Sequence, residues 1–265
     1  ILGLINKTNN GRFAYDSYRR LLTMYADVVM EKSNDLGFEI RITLEKILHD
    51  VKKKNKIILD SELKVGELKL LCEKYEQLIN KTFKTPFPYD PEIQLWQSIN
   101  AVFSSWNGNR AKHYRKIENI PDGWGTAVNV QAMVFGNMGN SSATGVAFTR
   151  NPATGENVFF GEWLPNAQGE DVVAGIRTPF PITAGKNSLQ NILPNIYKQL
   201  FLIQKKLENH YGDMQDIEFT VENNNLWILQ TRSGKRSGLA TIKIALDFLN
   251  QKKITKRSTL ERINS

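Results

Sequence analysis

The chain has 265 residues, 41% hydrophobic and 23% charged, with a formal net charge of +8, enough for one large domain or two smaller ones around a real core. No apolar run approaches the ~18–20 residues of a membrane span; residues 1–5 are too short and lack the basic leader of a signal peptide, and the lone Cys72 excludes an internal disulfide and suits a reducing cytoplasm. The basic balance raises nucleic acid as a partner. Yet the lysines are scattered among acids, Lys52-Lys53-Lys54 and Lys252-Lys253 read as solvated helix faces, and neither nucleic acid nor membrane is expected as a partner.

Residues 12–51 read as helical. Tyr15, Tyr18, Leu22 and Tyr25 recur at three- and four-residue spacing, and Ile40, Leu44, Ile47 and Leu48 continue the period in a second helix. A third helix from Ser61 carries Leu68, Leu71, Cys72, Tyr75, Leu78 and Ile79, which puts Cys72 on a core stripe rather than in redox chemistry. The prolines of residues 85–91 cannot continue a helix, so residues 1–90 are expected to form an all-helical subdomain. A helix with Leu95, Ile99, Val102 and Phe103 on one face follows, then a short basic helix over 110–116 and a turn at 121–125.

From Thr126 the period changes to two, and the alternation through Phe135 predicts a strand. A glycine-rich stretch at 136–145, a returning strand at 146–150, a turn at 151–155 and a strand at 158–163 together describe an antiparallel sheet. Residues 167–181 read as a loop and 189–211 as one long amphipathic helix. The runs 216–220 and 227–232, joined through Glu222-Asn223-Asn224-Asn225, read as a β-hairpin, because Asn tolerates the left-handed backbone of tight turns. A helix over 239–249 and a polar basic tail from Lys252 close the chain. The expected fold class is α+β: an antiparallel sheet with flanking helices, plus the helical subdomain.

The hairpin carries the sharpest chemistry. Asp216 and Glu218 lie two apart and share a face of one strand; Gln230 and Arg232 do the same on the next. Carboxylates suit Mg²⁺ and a guanidinium suits a polyphosphate, although the same residues also describe a solvated face with a cross-strand ion pair. The glycine-rich turn offers backbone N–H groups and the hydroxyls of Ser142 and Thr144 to phosphate oxygens, but it has neither the Walker nor the dinucleotide spacing, and spacing alone favours a plain hairpin loop. Three histidines and one cysteine in unrelated helices give no nucleophilic triad and no zinc site. The remaining carboxylates, amides and arginines suit phosphate handling, where catalysis is positioning and charge neutralisation.

Several long runs are more specific. Arg12-Phe13-Ala14-Tyr15-Asp16-Ser17-Tyr18-Arg19-Arg20, Trp124-Gly125-Thr126-Ala127-Val128-Asn129-Val130-Gln131, Gly145-Val146-Ala147-Phe148-Thr149-Arg150-Asn151-Pro152, residues 166–179 and Leu229-Gln230-Thr231-Arg232 together resemble the nucleotide-binding domain of the pyruvate, phosphate dikinase family, in order and over essentially the whole chain. The resemblance implies an ATP-grasp domain with ATP and Mg²⁺ as cofactors, Asp216 and Glu218 as metal-binding residues, and Gln230 and Arg232 lining the polyphosphate site. It places Thr144 and Gly145 in a phosphate-covering loop and Val130, Gln131 and Met133 beside the adenine. It also has Arg20 or Arg19 reach the phosphates.

The family's reaction converts ATP, phosphate and pyruvate to AMP, pyrophosphate and phosphoenolpyruvate through a phosphohistidine on a swivelling domain. The chain starts without Met, and a first ATP-grasp lobe would precede Ile1 and the phosphohistidine and pyruvate-binding domains would follow Ser265. The resemblance therefore implies a part of a longer, homodimeric chain, inactive alone, with residues 91–251 as the ATP-grasp-like lobe and 252–265 as the start of a linker. The alternative is a stand-alone ATP-grasp-derived binding or regulatory module without turnover.

Overall fold

A computed structural model describes residues 1–32, 36–173, 175 and 177–264. Ala174 and Ile176 of the 166–179 match, and Ser265, lie outside the described residues. The chain divides into two compact units, Ile1–Gln131 and Ala132–Ser265. The proline-rich break at 85–91 thus falls inside the first unit.

The first unit is helical: α1 (Leu2–Thr8), α2 (Gly11–Met24) running into π-helical turns at Tyr25–Glu31, α3 (Ile40–Asn55), α4 (Val65–Phe83), α5 (Pro91–Ser105) and α6 (Asn109–Ile117). Local signals set the starts. The Asn10 side chain accepts from the Phe13 N–H ahead of α2, and Asp90 accepts from Glu92 and Ile93 ahead of α5, whose first residue is Pro91. Leu68, Leu71, Cys72, Tyr75 and Ile79 of α4 are all buried in one cluster with Leu22, Tyr25, Ile40 and Leu44. Burial pushes the Cys72 thiol up to about 12, which agrees with a packing role. Trp124 and Val130 are exposed beyond α6.

The second unit, among the described residues, is one antiparallel sheet in the order β3-β2-β1-β4-β5, with β1 at Ala143–Phe148, β2 at Phe160–Pro165, β3 at Phe180–Pro181, β4 at Gln215–Glu222 and β5 at Asn225–Ser233. Helices α7 (Gly169–Val173), α8 (Leu189–Ile192), α9 (Pro194–Tyr211), α10 (Gly238–Asn250) and α11 (Lys256–Asn264) flank it. The α+β expectation holds. One face of the sheet is apolar: Ala143, Ala147, Trp163, Ile217, Phe219 and Val221 are buried with Ile196 and Leu200 of α9. The other face carries the charged residues.

Four expected elements differ. The stretch 167–181, expected as a loop, contains α7 and β3. The alternating run 126–135 forms no strand; a strand needs a ladder partner, and at the end of this run the Phe135 N–H donates instead to the Glu222 side chain at 3.1 Å. The helix expected over 189–211 is two, because Pro194 has no N–H to continue the first and instead opens α9. The expected polar tail contains α11, which starts at a Thr255 hydroxyl accepting from the Ser258 N–H and is pinned by Arg262 donating to the Gly212 carbonyl at 2.8 Å.

Gly145 sits mid-strand on the apolar face, where an added Cβ would lie 2.6 Å from both the Glu162 carbonyl and the Phe219 ring. Backbone on one side and a fully buried ring on the other leave nothing to yield. Gly145→Ala is expected to destabilise this unit by about 1–3 kcal/mol, read as a shifted urea midpoint, with an unshifted midpoint refuting the packing account.

Candidate functional site

The β4–β5 hairpin closes through Asn223 and Asn224, at φ 48° and 63°. Two positive φ values in succession give the turn whose twist matches that of its strands. The register then sets Asp216 opposite Arg232 and Glu218 opposite Gln230, after which Phe219 pairs with Ile228 and Leu229 is left as a bulge. Without that bulge Trp227 and Gln230, three apart, would point to opposite faces. With it, Trp227 lies opposite Thr220 and joins Gln230 and Arg232 on the open face.

On that face Arg232 Nε donates to Asp216 Oδ2 at 2.8 Å and Nη2 donates to Glu218 Oε1 at 2.7 Å. The guanidinium therefore bridges the two carboxylates. Its pKa is raised first by the hydrogen bond to Asp216 and by that carboxylate's charge, so it stays cationic throughout. Gln230 is exposed beside it. Asp216 Oδ1 is buried with no hydrogen-bond partner, a situation that costs about 1–3 kcal/mol when nothing answers it. A divalent cation is one answer. Two carboxylates two residues apart, with one oxygen uncommitted, fit Mg²⁺, which is often held by one or two carboxylates together with phosphate oxygens and water. No group of three or more acidic, His or Cys ligands occurs among the described residues.

The glycine-rich loop is fastened to this hairpin. Asn224 N–H donates to the Ser141 carbonyl at 2.8 Å, and Asn223 N–H donates to Ser142 Oγ at 3.1 Å. Thr144 and Gly145, however, lie in β1. The Thr144 hydroxyl is buried and donates to the Phe219 carbonyl at 3.3 Å, inside the ladder, and Gly145 faces the core. The part of the glycine-rich stretch that precedes β1 is 136–142. Met133 is exposed in the irregular run that the Phe135–Glu222 bond holds at the turn end of β4, opposite the end that carries Asp216.

Gln131 and Arg20 belong to the first unit. Gln131 is exposed at its end, and Arg20 Nε donates to Asp16 at 3.3 Å. Arg19 is buried and committed to Asp16 at 2.8 Å and Asp60 at 3.3 Å, while Arg12 donates to the Asp60 and Leu63 carbonyls. Burial by itself raises the Asp16 pKa, but Arg19 and Arg20 outweigh it and hold the carboxyl at about 2 against an ordinary 3.8. A depressed carboxyl stabilises above its unfolded value, and that contribution is lost as pH falls from about 4 through about 2. The lost stability should be on the order of 2 kcal/mol. Acid unfolding of wild type against Asp16→Asn measures it: the variant should lack this part of the pH dependence, and parallel curves would refute it.

The residue that the sequence reading passed over is Glu162. It is exposed on β2 and lies opposite Val146, which on its other side lies opposite Glu218. Residues directly opposite share a face, so Glu162 joins the open face with Val146 and the partly exposed Phe148 and Phe160. The alternation of Phe160-Gly161-Glu162-Trp163 was the available signal.

The model of the pyruvate phosphate dikinase AMP/ATP-binding domain matches residues 58–200 and 186–253, a stretch that contains the hairpin, β1 and the glycine-rich loop. This chain belongs to the pyruvate phosphate dikinase AMP/ATP-binding domain family. Its sheet and flanking helices are of the ATP-grasp type that the family has. The pyruvate, phosphate dikinase of Rhizobium meliloti (strain 1021) is 51% identical over 96% of this chain and 28% of its own length. That of Clostridium symbiosum is 48% identical over 99% of the chain and 29% of its own length. The chloroplastic enzyme of Flaveria trinervia is 47% identical over 100% of the chain and 26% of its own length. The chain therefore spans less than a third of the curated relatives it matches.

Proposed function

We propose that this chain supplies one wall of the MgATP site of a pyruvate, phosphate dikinase. The supporting observation is the trio on the open face: Arg232 bridging Asp216 and Glu218, with Asp216 Oδ1 buried and uncommitted. Asp216 and Glu218 hold the metal, Arg232 and Gln230 hold the polyphosphate, and the 136–142 loop lies against the hairpin turn. Bound Mg²⁺ would neutralise charge on the phosphates and align them for transfer.

In this reading the phosphoryl acceptor is a histidine on a domain that lies beyond this chain, and the overall reaction interconverts pyruvate and phosphoenolpyruvate. The partners are ATP, phosphate and the phosphohistidine and pyruvate-binding domains, in a homodimer. No helix among the described residues is long and apolar enough to cross a membrane, and a single buried thiol fits the reducing cytoplasm.

The two half-reactions test the proposal in the full-length protein. Glu218→Ala should abolish labelling of the histidine from ATP and leave labelling from phosphoenolpyruvate intact. Undiminished labelling from ATP would refute the assignment.

A further inference from the structure

Among the described residues of the sheet unit, Arg150 and Arg232 each bridge two carboxylates, and they are of opposite character. Arg150 is fully buried, makes two bonds to one carboxylate, Glu208, and lies over the Phe248 ring at 4.6 Å. Such an arginine is fixed. Arg232 has half of its side chain exposed and sits on β5, the edge of the sheet among the described residues. It makes one bond to each of two different carboxylates, so neither contact has the two-point grip of a fork on one acid. Such an arginine is replaceable.

We propose that Arg232 is an exchangeable counterion: it occupies Asp216 and Glu218 until a divalent cation takes them, and it is thereby released to the polyphosphate. The idea rests on the reading of the hairpin as a MgATP site. The charges show why the exchange must be coupled. Asp216, Glu218 and the guanidinium sum to −1, and Glu162 adds a further negative charge to the same face, which repels a polyphosphate arriving alone. If Arg232 turned to that polyphosphate without a cation, two bare carboxylates would remain beside it. A divalent cation arriving alone meets the guanidinium already on its ligands. When cation and polyphosphate arrive together, the carboxylates are balanced by the metal, and Arg232 faces phosphate with its charge unspent. Asp216 Oδ1 has no hydrogen bond to give up, so it is the carboxylate oxygen left over for the cation. Arg232 thus makes the site select the metal–nucleotide complex over either component.

Mn²⁺ binding to the full-length protein, followed by the loss of free-ion spin resonance, tests this without reference to turnover. The contribution of the hairpin is the part removed by Asp216→Asn. In the absence of nucleotide, Arg232→Gln should bind Mn²⁺ at the hairpin about tenfold more tightly than wild type, and Arg232→Lys should fall between them, because one ammonium cannot span both acids. ATP affinity in the presence of Mn²⁺ should change in the opposite direction in Arg232→Gln. If wild type binds MnATP through Asp216 but Arg232→Gln and Arg232→Lys bind bare Mn²⁺ no better than wild type, the counterion role is overturned and the site assignment stands. If Asp216→Asn changes neither Mn²⁺ nor MnATP binding, the site assignment falls and the counterion role falls with it.

Discussion

Arg232→Ala in the full-length protein should lower the rate of histidine phosphorylation from ATP by about a thousandfold while leaving phosphorylation from phosphoenolpyruvate unchanged. Arginines that stabilise a transferring phosphoryl group contribute about 10³–10⁵ in rate, and the lower end suits a group that also has to leave two carboxylates. The protein should remain folded. Arg232 is half exposed, and exposed ion pairs contribute about 0–1 kcal/mol. The bonds it loses are confined to the hairpin, so a reaction fed from phosphoenolpyruvate has no reason to respond. Arg232→Lys should recover little of the loss, because an ammonium cannot reproduce the forked contact with phosphate oxygens. Loss of both half-reactions would mean that the hairpin supports the fold rather than the nucleotide. Retention of both would remove Arg232 from the site.

The hairpin was legible in the sequence because strand alternation and paired asparagines are local signals, and both act at short range in the fold. Its register was not. The bulge at Leu229 moves Trp227 to the charged face, and nothing in Trp227-Ile228-Leu229-Gln230 marks which residue is left over. Thr144 and Gly145 show a different limit. Both sit in a glycine-rich stretch, but the Phe219 ring packed on Gly145 comes from a strand more than seventy positions away, and burial by distant partners has no local signature. The run 126–135 fails the other way: its alternation is real, and the described structure provides no ladder for it. Helix α11 escaped notice because a polar arginine anchors it rather than an apolar stripe.

The other large effect expected is structural, and it concerns residues to which the sequence reading gave no structural role beyond the family motif. Arg150 lies two residues past the end of β1, donates a two-point contact to Glu208 of α9 at 3.0 Å to each oxygen, and donates to Asp247 of α10 at 3.0 Å. One fully buried cation thereby ties the sheet to both helices. Glu208→Ala would leave that cation with only the partly exposed Asp247. Breaking one side of a buried pair costs about 3–5 kcal/mol, because the surviving charge has lost its compensation without regaining water. The urea transition of the sheet unit should move by that amount, and that of the helical unit should stay in place, since their cores are separate. Replacing both partners, as Arg150→Met with Glu208→Leu, removes the buried charges together and should cost far less than Glu208→Ala alone, because well-packed apolar side chains of similar volume are often equivalent to a buried ion pair. A double variant that loses as much as the sum of the two single ones would show no coupling between Arg150 and Glu208, and would overturn this account of what Arg150 does.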